Sequence, residues 1–304
     1  MVVDRSQHEV HKSAGLLRTT SPIRRRLRRV KPAKIGVFSL LVVLSAVFLF
    51  PFFWIVSSAL QTTSEQDHLP LTWFPTHPQW HNFLVAWSTL PFATFLLHSA
   101  VIVVFATFGA VASSSLCAYG FARLRFRGRD LWFYVVLSTM MLPGVVTLIP
   151  VYLIMRDLGW LNTVLPLIVP IYFGGGAFNI FLIRQFMLGI PRELEDAAQI
   201  DGASTGMVFF RIILPLVKPV LAVTAWFSAL ASWGDFLGPL IYLNVEHSWT
   251  FTLGLYEFPG MMPFGWGDQL EMAMAVISMA PVIIGFFFIQ NWLIEGVNLS
   301  GIVR

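Results

Sequence analysis

Residues 191–219 read PRELEDAAQIDGASTGMVFFRIILPLVKP, the longest polar stretch in the second half of a very apolar chain. Pro191 suits the first turn of a helix, where its missing N–H is not needed. Glu193, Glu195 and Asp196 follow, placing negative charge at the positive end of the helix dipole. Leu194, Ala197, Ala198 and Asp201 fall at i, i+3, i+4 and i+7 and share one face, mostly small. Gly202 is placed to stop the helix in a left-handed cap. Ser204 or Thr205 can cap a second helix that carries Phe209, Phe210, Ile212 and Ile213. Pro215 and Pro219 then punctuate the start of the next apolar run. The pattern predicts two short helices meeting at a sharp corner, with an exposed face fit for docking.

Outward from this corner the composition is that of a membrane protein. Of 304 residues 56% are hydrophobic and 12% charged, against about 25% charged in soluble domains; mean hydropathy is +0.72. An apolar run of about 20 residues crosses a ~30 Å hydrocarbon core. Such runs are expected at about 35–60, 93–118, 131–155, 164–186, 218–242 and 270–294. The first has a basic flank but is too long for a signal-peptide core, and reads as a retained span. Pro143-Gly144 and Pro150 predict kinks in the third, and Gly174-Gly175-Gly176 interrupts the fourth. Between the first two spans lies a polar loop with Trp73, Trp80 and Trp87. Between the last two, a loop carries Glu246, Trp249, Glu257, Trp266 and Asp268. These tryptophans suit a membrane–water interface.

Charge orients the spans. The segment before residue 35 holds ten Lys and Arg, including Arg24, Arg25, Arg26, Arg28, Arg29, Lys31 and Lys34. Arg123, Arg125, Arg127 and Arg129 follow the second span, four more lie between Arg184 and Lys218, and Arg304 ends the chain. Nineteen of the twenty basic residues thus fall on one side, and Arg156 alone on the other. The positive-inside rule makes that side cytoplasmic, with both termini there. The division is a basic cytoplasmic tail over 1–34, a six-helix domain over 35–294 with a cytoplasmic segment at 187–217, and a cytoplasmic tail over 295–304. The basic tail reads as a topology signal or an attachment to anionic lipid of the bilayer. No aromatic platform accompanies it, which argues against nucleic acid.

The run Asp196-Ala197-Ala198, three residues, Gly202, nine residues, Ile212, one residue, Leu214-Pro215 resembles the EAA motif of ABC-importer permeases, with Asp in place of the usual Glu and Glu195 just before it. Further blocks, 158–163, 178–186, Ile190-Pro191 and 232–240, resemble the MalG-type subunit of carbohydrate importers. In the last of these the family usually has Asn at position 234 and a bulky residue at 238, where this chain has Gly234 and Gly238. The C-terminal tail also departs from the family's small-residue ending. The resemblance implies an all-α polytopic membrane protein with six transmembrane helices, the type I ABC importer permease fold, in a bacterial cell membrane. It implies a sugar-importer subunit whose coupling residues are Glu195, Asp196, Ala197, Ala198, Asp201, Gly202, Ile212, Leu214 and Pro215. It implies as partners a second homologous permease subunit, two ABC ATPase subunits and an extracytoplasmic sugar-binding protein. ATP and Mg would be bound by the ATPase. This chain, with no Gly-x4-Gly-Lys-Ser/Thr loop, would bind no cofactor and catalyse nothing.

Three intramembrane side chains are candidates for the substrate pathway. Asp235 either lines the path or caps a helix locally where Gly234, Gly238 and Pro239 break it. Asn179 makes either an interhelix hydrogen bond or a sugar contact. Trp233 either stacks on a sugar or packs. The triple glycine marks a broken helix or close packing. No metal site is expected: Cys117 is the one cysteine, and Pro78 breaks the helix that would align His77 with His81. Rival readings are a permease for glycerol phosphates or another small polar solute, an ion-coupled secondary transporter, and a membrane enzyme. The second lacks buried midplane charges, and the third lacks clustered His, Asp or Glu.

Overall fold

The computed structural model describes residues 32–67, 72–261 and 267–299. The basic block up to Lys31, Trp266 and the tail from 300 lie outside the described residues. All regular structure described is helical. In chain order come α1 (Pro32–Ala59), α2 (Thr63–Asp67), α3 (His81–Thr89), α4 (Phe92–Arg123), α5 (Arg129–Ser138) and α6 (Gly144–Asp157). Then follow α7 (Leu165–Ile168), α8 (Ala177–Leu188), α9 (Glu193–Ile200), α10 (Thr205–Val208), α11 (Leu214–Leu216) and α12 (Lys218–Trp233). The last are α13 (Leu237–Tyr242), α14 (Phe251–Met261) and α15 (Gln269–Leu299).

Among the described residues, four helical segments are long and apolar enough to cross a membrane, within 36–59, 92–123, 165–188 and 269–292. Two bent pairs bring the number to six if each counts as one span. The residues up to Leu49 form one unit of the chain and those from Phe50 another. Within the second unit α4 packs along α8 and α12, and α12 along α15. Much of the buried surface of α4 is small, with Ser99, Ala106, Gly109, Ala110, Ser114 and Ala118 buried. Small residues let helix backbones approach where lipid offers no hydrophobic drive.

Two expectations about spans are corrected. The third is not a kinked helix: α5, extended by a 3₁₀ turn to Met141, meets α6 at 97°. Pro143 supplies the break: it holds Leu142 before it in extended backbone, φ −79° and ψ 117°, which ends the first helix. The loop expected after the fifth span contains α14. Its Phe251, Gly254 and Phe258, at i, i+3 and i+7, are buried. They enter an aromatic core in which Phe92 lies 5.5 Å from Phe251 and 5.4 Å from Phe258, ring centre to ring centre. Polar residues at its edges hid that apolar stripe. α4 also runs five residues past the expected end of its span, and α15 continues to Leu299.

The triple glycine is a true break. Gly174, Gly175 and Gly176 have φ of +126°, +62° and +93°, a left-handed run that only glycine adopts without strain. A Cβ at Gly175 would also collide with Ser114 Oγ and the Ala110 carbonyl. Broken helix and close packing therefore coincide here.

The loop after α1 is fixed by a capping box. Thr62 N–H donates to Glu65 Oε2 at 2.9 Å, and Glu65 N–H donates back to Thr62 Oγ1 at 3.3 Å. Thr76 donates its N–H (2.9 Å) and its hydroxyl to Glu65 Oε1. These donors, the Thr76 hydroxyl foremost, hold the Glu65 carboxyl at a pKa of about 2, below its ordinary 4.5. A depressed carboxylate stabilises fully above pH 4.5, and the contribution fades as pH falls through about 2. Solvent screening on this open loop limits it to about 1 kcal/mol. Glu65→Gln is expected to raise protease cleavage within residues 61–79 at pH 7 severalfold. Acidification should raise cleavage by an acid-stable protease in the wild type and leave the variant unchanged; equal acid sensitivity would contradict the assignment.

Candidate functional site

The corner predicted at Gly202 is built from backbone. Gly202 sits at φ +86°. Ala203 N–H donates to the Ala198 carbonyl at 2.9 Å, and Gly202 N–H to the Gln199 carbonyl at 3.0 Å. This crossed pair is a Schellman cap, which ends α9 and satisfies two of its last carbonyls. Ser204 then caps α10, its Oγ accepting Met207 N–H at 3.3 Å. A π-helical turn over Phe209–Ile213 follows. Its extra residue turns Phe209 and Ile213 inward and leaves Phe210 62% exposed. The helical run 205–216 meets α12 at 78° around Val217, between Pro215 and Pro219.

The two helices are held from beneath. Val208, Phe209, Ile213 and Val217 are buried against Ala118, Tyr119 and Ala122 of α4 and Ile180, Ile183 and Met187 of α8. Ala198, Ala203, Ile212 and Leu214 pack on the same cluster, half-buried. Asp196, Ala197, Asp201, Gly202 and Pro215 are exposed, as are Leu194 and Ile200, the latter by 87%. The exposed face thus mixes acid, small and apolar side chains.

Glu195 faces the other way. It is buried, and its Oε1 lies 2.8 Å from Nε of Arg123, also buried. The two atoms pair as charges without a directed hydrogen bond. The Arg123 guanidinium donates through Nη2 to the carbonyls of Met187 and, at 2.8 Å, of Ile190. It therefore sits on the negative end of α8 and on an acid in the first turn of α9. Three segments meet at one planar cation. Sequence reading placed Arg123 after the second span, without a partner for it. The usable signal was the helical pattern of Tyr119 and Ala122 (i, i+3), which continues through Gly120 with no Pro up to Leu124. Arg184 makes a lesser link, its guanidinium 4.0 Å over the Phe133 ring.

A second feature lies between α7, α8 and α12. An open cleft of about 600 Å³ is lined by polar Asn179, Ser228, Ser232 and Asp235 and by apolar residues including Phe178 and Phe227. The glycine break leads into it from one side. Asn179 Nδ2 donates to Gly175 O at 2.8 Å and to Ser228 Oγ on α12 at 3.2 Å, the second an interhelix bond. Asp235 Oδ1 accepts Gly238 N–H at 3.1 Å, a local cap at the start of α13. A Cβ at Gly238 would meet Asp235 Oδ2 at 2.5 Å and Leu167 at 2.8 Å, so the bulky residue usual there would not fit this arrangement. Asn179 and Asp235 share the cleft; Trp233 does not. Its ring stacks on Phe251 at 5.8 Å, and its Nε1 donates to Ser278 O at 3.2 Å. Trp233 is packing between α12, α14 and α15.

Residues 107–298, which carry the Arg123 clamp, the corner and the cleft, match the model of the family described as binding-protein-dependent transport system inner membrane component. The chain belongs to that family. As such a permease-family chain it is 32% identical over 284 residues to the probable ABC transporter permease protein YurM of Bacillus subtilis, covering 92% of this chain and 91% of that one. It is 32% identical over 273 residues to the arabinooligosaccharides transport system permease protein AraQ of the same organism, covering 88% and 95%. A solved bacterial ABC transporter involved in the import of the acidic polysaccharide alginate has a chain of the same fold. That likeness has a TM-score of 0.75 at 24% identity, over 87% of this chain and 97% of that one.

Proposed function

We propose that this chain is a non-catalytic permease subunit of an ATP-driven, binding-protein-dependent sugar importer in a bacterial plasma membrane. It crosses the bilayer six times with both termini in the cytoplasm, each bent pair counting as one span. It pairs with a second homologous permease subunit, two ABC ATPases and an extracytoplasmic sugar-binding protein. ATP and Mg are bound by the ATPase, and the chain binds no cofactor. The domain from 35 to 294 forms half of the translocation pathway. The segment 187–217 is cytoplasmic and couples to the ATPase, with the tails 1–34 and 295–304 on the same side. Sugar as the cargo is supported by the names of relatives such as the arabinooligosaccharide permease.

The observation that carries the coupling role is the rigid corner at Gly202. An exposed helix pair, capped at its joint and clamped by Arg123, transmits displacement as a unit. ATP-driven closure of the ATPase pair moves α9 and α10, and the buried cluster passes that movement to α4, α8 and α12. Asp196→Lys tests the docking face. Asp196 is exposed in the first turn, so reversal leaves the fold intact. Its insertion in the membrane is expected to match wild type, while recovery of the ATPase on detergent pull-down should fall about tenfold, roughly 1.4 kcal/mol. Undiminished recovery would remove Asp196 from the interface.

A further inference from the structure

We propose that the cleft of Asn179, Ser228, Ser232 and Asp235 is a hydrated contact site for uncharged sugar on this subunit, and that Asp235 makes it exclude anionic solutes. The proposal rests on the permease reading above and narrows its cargo.

Lipid is the wrong neighbour for this surface. A carboxylate, an amide and two hydroxyls on one apolar face are costly against hydrocarbon, and such groups turn to a cavity or to protein. The lining also suits a sugar. Phe178 and Phe227 are each 47% exposed, with ring centres 6.5 Å apart and planes at 77°. They offer apolar faces to the C–H side of a pyranose. The polar groups complement hydroxyls: a carboxylate only accepts, an amide donates and accepts, and a serine does both. A few convergent polar groups in an otherwise apolar cleft are the pattern of small-molecule sites.

The charge selects within that class. Among the described lining residues none is cationic, and Asp235 is the one charge. Its Oδ1 is an acceptor for Gly238 N–H, a bond that favours the charged form of the carboxyl. The absent Cβ at Gly238 leaves room for Oδ2. An incoming phosphate, uronate or sulfonate would approach this carboxylate with no compensating cation. The left-handed glycine run at 174–176 ends one helical segment before Ala177 starts α8, which brings Phe178 and Asn179 to the wall.

The test uses the assembled transporter in proteoliposomes, with Cys117→Ser removing the one native cysteine and Ser232→Cys reporting from the cleft. Two thiosulfonate reagents of similar size, one cationic and one anionic, are applied. The cationic reagent is expected to react about tenfold faster, because a cleft of one charge sign concentrates counter-ions. Asp235→Asn should bring the two rates within about twofold. A rate ratio near one with Asp235 intact, or no labelling by either reagent, overturns the proposal. In the second case a packed or lipid-facing wall is found instead. Millimolar glucose, maltotriose, arabinotriose, galacturonate and glycerol 3-phosphate are then tried as protectants. Protection by a neutral member alone is expected. Protection by an anionic one overturns the exclusion, and protection by none overturns the sugar contact. The importer reading fails separately, through loss of the co-purifying ATPase before labelling begins.

Discussion

Arg123→Ala is expected to abolish transport and to destabilise the protein by about 3–5 kcal/mol, the range for breaking a buried ion pair by removing one partner. Both side chains are shielded, with 3% and 9% exposure, so water cannot take the place of the lost cation. The variant leaves Glu195 as an uncompensated buried acid. It also takes the donor from the Ile190 carbonyl and leaves the Met187 carbonyl with Ile190 N–H alone. Arg123→Lys keeps the charge but not the planar fork, and one ammonium cannot serve two carbonyls and a carboxylate with the same geometry. It should fall between wild type and alanine. The informative variant is the double replacement Arg123→Met with Glu195→Met. Apolar side chains of similar volume often restore stability at a buried pair, so its thermal midpoint in detergent should recover most of the loss. Transport should not recover, because the link between α4, α8 and α9 is gone. Uptake by proteoliposomes and thermal unfolding followed by size exclusion measure the two properties separately. A double variant that transports normally would show that the pair is structural filler. An alanine variant of unchanged midpoint would show that the pair carries no stability.

The corner was legible because its determinants are local. A glycine at the right offset, a serine two residues on and acids in the first turn specify a cap and a dipole without reference to the rest of the chain. Gly202 and Ser204 adopt those roles in the structure. The direction of Glu195 was not legible. On the helical wheel it is one of three acids in a first turn, and only the position of Arg123, seventy-two residues earlier, decides which acid turns inward. The same limit hid α14, whose apolar stripe is short and meets its partners Phe92 and Phe95 from far along the chain. It also hid the cleft. Asn179 and Asp235 were noted one by one as costly in a membrane, but that they share a wall with Phe178 and Phe227 depends on how α8 and α12 pack. Trp233 shows the converse: an aromatic two residues from an acid in sequence packs on Phe251 and Ser278, outside the cleft that the acid lines. Local backbone signals survive translation into three dimensions, whereas the pairing of side chains across helices needs the packing itself.

Gly202→Val is expected to leave a protein that inserts in the membrane and loses nearly all transport. No atom lies within 4 Å of a Cβ built there, so the effect cannot come from a clash. It comes from the backbone: φ is +86°, and an L-residue in the left-handed region costs about 1–2 kcal/mol, more when β-branched. That is too little to unfold a large helical protein. It is enough to move the joint toward a right-handed conformation, which would carry α10 away from α9 and break the bonds from Gly202 and Ala203 to Gln199 and Ala198. The exposed face proposed to dock would then present its two halves at the wrong angle. Gly202→Asn separates conformation from composition. Asparagine tolerates the left-handed region, so it should keep a large share of wild-type uptake despite a bigger side chain in the same open space. Matched membrane levels, with uptake in the order glycine, asparagine, valine, would assign the loss to backbone conformation. Equal loss in both variants would instead mean that a docked partner needs the space above Gly202, making the absence of a side chain, rather than the turn, the property on which coupling depends.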